Sequence, residues 1–132
     1  MTPVSYRSVI IVDDEASVRE ALASLLRSSG LRVASFASAE DLLRAASPDD
    51  VVCLILDINL PGMSGLELQQ YFLADQRWQC IPIIFITAGD DRDGRIRARA
   101  LRDGARAFLP KPFIDDELIR AVHSAAACGA TE

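Results

Sequence analysis

Short apolar runs alternate with amphipathic segments along the chain. Val9–Val12, Leu31–Phe36, Val51–Leu56, Ile81–Ile86 and Ala105–Leu109 read as five strands. The first, third and fourth are nearly unbroken Val, Ile and Leu, the pattern of strands covered on both faces. The second alternates only weakly and suits a sheet edge. Helical spacing fills the gaps. Glu15–Ser29 places Val18, Ala21, Leu22, Leu25 and Leu26 on one stripe, and Gly30 stands where a helix C′ glycine belongs. Ser38 can cap a short helix carrying Leu42 and Leu43, which Pro48 keeps from continuing. Ser64-Gly65-Leu66-Glu67 matches a capping box and opens a helix through about Ala74. Asp90–Asp103 is Arg-rich, with only Ile96, Ala98, Ala100 and Leu101 to bury before a second stop at Gly104. Asp115 or Asp116 opens a last helix that turns Leu118, Ala121, Val122 and Ala125 inward.

Strands alternating with helices predict an α/β fold: a doubly wound five-stranded parallel sheet with helices on both faces, joined by right-handed crossovers. The chain shows no internal repeat, low-complexity tract or linker, and Cys128–Glu132 reads as a tail after a domain spanning residues 8–127. A length of 132 residues fits one domain, and a half-apolar composition excludes disorder. The net charge of −5 argues against nonspecific nucleic-acid binding, which needs phosphate-neutralising Lys and Arg. The longest apolar runs are far shorter than the ~18 residues of a membrane span. Met1–Ser8 carries one Arg and no apolar core, so no secretory signal and a cytoplasmic location are expected. Three cysteines without an export signal favour reduced thiols. Of these, Cys53 is expected in the core, and Cys80 and Cys128 at the surface without catalytic company.

The informative polar residues sit where strands end. The first strand runs into Asp13-Asp14-Glu15, the third into Asp57, the fourth into Thr87, and the fifth leads to Lys111. In a parallel sheet these C-terminal ends share one edge, where ligands of open α/β sheets bind. Carboxylates gathered there repel one another and raise each other's pKa, and a hard divalent cation relieves this. Mg²⁺ takes a few carboxylate or carbonyl oxygens and keeps waters that phosphate oxygens can replace. With a carboxylate nucleophile, the Lys111 ammonium and the Thr87 hydroxyl, the set suits phosphoryl transfer.

Four segments, ordered and properly spaced, resemble the receiver domain of two-component response regulators. They are Val12-Asp13-Asp14-Glu15, Asp57–Gly65, Thr87-Ala88, and Gly104–Phe113, within a likeness covering about Ser8 to Ala127. The resemblance implies the CheY-like, flavodoxin-like strand order 2-1-3-4-5. It further implies that Asp57 accepts a phosphoryl group from a sensor histidine kinase. Asp14 would bind Mg²⁺ directly, Asp13 directly or through water, Asp57 with them, and Asn59 through its backbone carbonyl; Mn²⁺ could substitute. Lys111, positioned by a cis bond to Pro112, would pair with the phosphoryl oxygens. Thr87 would move toward them, Phe108 would follow inward, and the small Ala88 would leave room for phosphate and water. Asn59 and Gly89 occupy positions that tune dephosphorylation in this family. The readout would be the fourth helix, fifth strand and fifth helix, acting on an output domain or a partner, with homodimerisation on phosphorylation one form of it. Phrases such as Phe36–Glu40, Leu60–Gln69 and Ile83–Ala88 look like receivers of nitrogen-fixation-type regulators, in which a LuxR-type DNA-binding domain follows.

Other readings fit less well. A haloacid-dehalogenase-like phosphatase wants a second acid two residues after its nucleophile, in a first strand; Asp57 is followed by Ile58 and Asn59 in the third. A flavodoxin-like cofactor binder would not place Asp-Asp-Glu in its first loop. A phosphorylation-independent interaction module is the remaining alternative. Arg92, Arg95, Arg97, Arg99 and Arg102 read as a solvated helix face balanced by Asp90, Asp91, Asp93 and Asp103 rather than a nucleic-acid stripe. His123, off the apolar stripe, is expected at the surface and is neither a metal ligand nor a phosphodonor. No Walker or G-x-G-x-x-G phosphate loop is present.

Overall fold

The computed structural model describes residues 7–88 and 94–129. Its elements run β1 (Ser8–Val12), α1 (Ala16–Ser28), β2 (Val33–Phe36), α2 (Ala39–Ala45), a 3₁₀ turn (Pro48–Asp50), β3 (Val51–Asp57), α3 (Gly65–Leu73), β4 (Ile83–Thr87), α4 (Arg95–Arg102), β5 (Ala107–Pro110) and α5 (Asp115–Gly129). The strands form one sheet in the order β2-β1-β3-β4-β5, every pairing parallel. That is the architecture the alternation predicts, with the order the resemblance implies.

Strand residues alternate between two cores. Val9, Ile11, Cys53, Ile55, Ile84 and Ile86 pack with Leu22, Leu26, Leu118 and Val122 from α1 and α5. Ile10, Val12, Leu54, Leu56 and Phe85 pack with Leu42, Leu68, Phe72 and Ala100 from α2, α3 and α4. Covering both faces explains why the central strands carry no polar alternation. Cys53 is fully buried, and burial pushes its thiol up to about 12, so it is inert filling. Cys80 and His123 are exposed, as expected.

The turn chemistry follows the sequence signals closely. Ser38 accepts from the Asp41 N–H at the start of α2, and Ser64 and Glu67 form both hydrogen bonds of the capping box. Gly30 and Gly104 close α1 and α4 with φ of 86° and 105°.

Several expectations are corrected. In α1 the buried alanine is Ala23, not Ala21, which is exposed; a methyl group weighs too little in the pattern to fix the stripe's rotation. Strand β2 begins at Val33 rather than Leu31, β4 at Ile83 after Pro82, and β5 at Ala107. Helix α4 begins at Arg95, not Asp90. Gly94, at φ 72°, is left-handed and cannot lie inside a right-handed helix. Within α4 only Ala100 is buried; Ala98 and Leu101 are both exposed, an even weaker apolar face than the sequence predicts. What holds α4 is its C-terminal end: the buried Gln69 amide of α3 donates to the Ala100 carbonyl at 3.0 Å, and Gln70 donates to Asp103 at 2.8 Å. Gly89, Asp90, Asp91, Arg92, Asp93 and the Cys128 side chain lie outside the described residues.

Candidate functional site

The parallel sheet brings Asp13, Asp57, Thr87 and Lys111 to its C-terminal edge. Asp13 follows β1 and stays tied to the sheet, its N–H donating to the Phe36 carbonyl at 3.1 Å. Asp57 is the last residue of β3, in the register that pairs it with Ile86 of β4. Thr87 closes β4 beside Pro110, and its carbonyl accepts from the Lys111 N–H at 3.0 Å. The Lys111–Pro112 bond is cis, as the resemblance implies. Asp13, Asp57 and Thr87 are buried, whereas Asp14, Glu15, Asn59 and Ala88 are exposed at the mouth.

Lys111 organises the cleft. Its ammonium nitrogen lies 2.6 Å from Asp13 Oδ2, 2.9 Å from Asp57 Oδ2 and 3.3 Å from Glu15 Oε1. Three protons on the ammonium thus face three carboxylates. The other oxygens are fixed by backbone: the Glu15 N–H donates to Asp13 Oδ1 and the Asn59 N–H to Asp57 Oδ1, each at 2.9 Å. The Asn59 side-chain amide donates to Thr87 Oγ1 at 3.0 Å. Phe108 is half-buried, its ring 6.3 Å from that of Phe85, facing the core beneath α3 and α4.

The electrostatics correct one expectation. Burial pushes the Asp13 carboxyl above the ordinary aspartate range; contacts with Lys111 and the Glu15 N–H pull it back, and the Asp57 charge adds only the smallest contribution. Desolvation, not mutual repulsion, dominates, because the ammonium bridges the two acids. For Lys111, burial alone would lower the pKa, but its contacts with Asp13 and Asp57 outweigh burial and hold it above the ordinary lysine range.

The donor set fits a small hard cation. Asp13, Asp14 and Asp57 each offer an oxygen, and all three lie within 4.8 Å of one another. Asp13 Oδ2 is buried against the Lys111 ammonium, and Asp14 keeps its carboxylate exposed at the mouth. Carboxylate oxygens around a polar cleft, with room at an exposed mouth, suit Mg²⁺ and the similar Mn²⁺ rather than softer ions. Trp78 lies far from them, 3% exposed in the α3–β4 connection and stacked on Phe72 at 4.6 Å, at the opposite sheet edge. Saturating Mg²⁺ is therefore expected to leave Trp78 emission nearly unchanged; strong quenching would contradict this placement.

Residue types and spacing did not reveal three further supports. Glu15 is the third partner of Lys111. Arg19 donates from α1 to the Asp13 carbonyl at 2.7 Å. Glu40 of α2 accepts from the Met63 N–H at 3.1 Å and so holds the loop after Asp57. Glu15 stood in the Asp-Asp-Glu run, whereas the other two act on backbone groups that no pattern marks.

Residues 9–123 match the response regulator receiver domain family. The chain is 46% identical over 125 residues to Nodulation protein W of Bradyrhizobium diazoefficiens, covering 94% of this chain and 53% of that protein. It is 40% identical over 116 residues to the transcriptional regulatory protein FixJ of Azorhizobium caulinodans, covering 88% and 53%. Among solved structures, the response regulator StyR superposes with a TM-score of 0.84 at 42% identity, over 94% of this chain and 61% of that one. A Vibrio cholerae chemotaxis protein, CheY4, shares the fold with a TM-score of 0.79 at 24% identity, over 90% and 98%. The chain spans about half the length of the curated relatives it matches. No helix among the described residues is long and apolar enough to cross a membrane. The chain belongs to the response regulator receiver domain family, the signalling switches of two-component systems.

Proposed function

We propose that Asp57 is the phosphoryl acceptor of a phosphorelay and that the α4-β5-α5 surface carries the result to an output domain or partner. The observation that carries this reading is the Lys111 ammonium held between Asp57 and Asp13, with Asp14 completing a three-carboxylate cluster at the sheet's C-terminal edge. Asp57 donates an oxygen lone pair to the phosphorus of a kinase phosphohistidine. The phosphorus–nitrogen bond breaks, and the imidazole leaves with the electron pair and takes up a proton. The product is an acyl phosphate on Asp57. Mg²⁺, held by Asp13, Asp14, Asp57 and the Asn59 carbonyl, supplies charge neutralisation at the phosphoryl oxygens when bound. Lys111 keeps an ammonium within reach of those oxygens, and the small Ala88 keeps the mouth open.

The new group adds about −1.5 to −2 charge to the cleft. Thr87 gains by exchanging its contact with the neutral Asn59 amide for a charge-assisted bond to phosphate, which is stronger. Movement of Thr87 frees space beside β5 into which Phe108 turns. Helix α4 responds readily because it buries so little apolar surface. This receiver occupies residues 8–127, with the last helix running on to Gly129, and itself makes no nucleic-acid contact; control of transcription runs through an output domain or a partner, with phosphorylation-dependent homodimerisation one route.

Incubation with acetyl phosphate and Mg²⁺, read by intact mass, tests this. A gain of one phosphate is expected for the native chain and none for Asp57→Asn. No gain would overturn the assignment and leave the phosphorylation-independent interaction module; a gain that survives Asp57→Asn would overturn it by placing the acceptor elsewhere.

A further inference from the structure

The metal-binding reading places Asp13 and Asp14 side by side on the β1–α1 turn, and the turn itself must be held. Asp13 Oδ1 accepts from the Glu15 N–H at 2.9 Å, which aims the Asp13 carboxylate. Asp14 is exposed, so its direction depends on its backbone. The oxygen that sets this backbone is the Asp13 carbonyl, part of the peptide joining the two aspartates. β1 ends at Val12 and α1 begins only at Ala16, so neither ladder nor helix claims that carbonyl. Arg19 claims it: one turn into α1, its Nη1 donates to the Asp13 oxygen at 2.7 Å. A charge-assisted bond of this length is among the strong ones, and it fixes ψ of Asp13 and φ of Asp14 together.

We infer that Arg19 is a positioning residue for the cation site: by locking the Asp13–Asp14 peptide, it presets the Asp14 carboxylate beside those of Asp13 and Asp57. The inference rests on the Mg²⁺ reading above and adds a residue outside the acidic cluster. Groups that orient a metal's ligands commonly change affinity 10–100-fold when removed. Arg27, in the last turn of α1 and lining the same groove as Arg19, makes no such contact with the acid turn and serves as the control.

The test measures Mn²⁺ binding by loss of the free-ion electron paramagnetic resonance signal in the native chain, Arg19→Met, Arg19→Lys and Arg27→Met. Arg19→Met is expected to bind about tenfold more weakly, Arg19→Lys to fall between, and Arg27→Met to match the native chain. Metal-free amide exchange at Glu15 is expected to rise in Arg19→Met alone. Should Arg19→Met fail to fold, Arg19→Gln, too short to reach the carbonyl, carries the same expectation. Native binding with equal binding by the Arg19 variant would overturn this inference alone. No binding by the native chain would overturn the metal reading and this inference with it.

Discussion

Replacing Lys111 with Met is expected to lower the unfolding free energy by about 3 kcal/mol at neutral pH without divalent metal. The Lys111 side chain is 9% exposed and contacts Asp13 and Asp57, which are 0% and 6% exposed. Met keeps most of the stem's packing but removes the ammonium, leaving two carboxylates uncompensated. Removing one partner of a buried pair costs roughly 3–5 kcal/mol, and the low end applies because Asp14 and Glu15 at the mouth are exposed. At this chain length the loss corresponds to roughly 10 °C in thermal midpoint. The pH dependence has a definite sign. In the native chain the Asp13 pKa is raised, so its contribution is present below the ordinary aspartate range and lost as pH rises through the raised value. Removing the ammonium raises that pKa further, so the Lys111→Met deficit shrinks on acidification, once Asp13 protonates. The Lys111 pKa is also raised, so its contribution is present below the ordinary lysine value and fades only at strongly alkaline pH. That alkaline limb disappears in the variant. Mg²⁺ takes over the missing charge and is expected to raise the midpoint of Lys111→Met more than that of the native chain. Equal midpoints, or equal shifts with Mg²⁺, would contradict the bridging role of Lys111.

What the sequence made legible was whatever periodicity or chain order encodes. Continuous apolar runs identified β1, β3 and β4, and parallel topology then forced Asp13, Asp57, Thr87 and Lys111 onto one edge. Ser38, Ser64 and Glu67 were readable because a cap is a local bond at fixed spacing. Boundaries set by a single backbone torsion were less readable: Gly94 ends the reach of the α4 pattern because it is left-handed, a fact no hydrophobic stripe contains. Long-range bonds to backbone were not legible at all. Arg19 on the Asp13 carbonyl, Glu40 on the Met63 N–H and Gln69 on the Ala100 carbonyl each join elements whose distance depends on packing. The balance of charge is not legible from residue types either. Three acids at one edge suggest repulsion, but a lysine 54 residues after Asp57 lies between two of them, which leaves burial as the larger influence on Asp13.

The second large effect is expected at Gly65. Its φ is not positive, so the demand is for space rather than conformation. A Cβ added there would stand 2.4 Å from the Asp57 carbonyl oxygen and 2.9 Å from Ile58 Cα. Both obstacles are backbone of the strand end that carries Asp57, so no side chain can swing aside. The approach is this close because the Gly65 N–H donates to the Ile58 carbonyl at 3.0 Å, drawing the start of α3 onto the end of β3. Gly65→Ala must push helix and strand apart, breaking that bond and straining the capping box one residue earlier. Overpacking of this kind costs roughly 3 kcal/mol. The displacement also moves the Asp57 carboxylate relative to Lys111 and Asp13, and a misplacement of ~1 Å can cost about 100-fold in rate. Gly30→Ala separates crowding from torsion: Gly30 has φ +86° but nothing within 4 Å of an added Cβ, so it carries left-handed strain alone, about 1 kcal/mol. Denaturant unfolding of both variants, with acetyl phosphate labelling followed by intact mass, checks the pair. Gly65→Ala is expected to lose about three times the stability lost by Gly30→Ala, and to label far more slowly even under conditions where it is folded. Equal losses in the two variants, or native labelling of folded Gly65→Ala, would show that the β3–α3 junction can yield without moving Asp57.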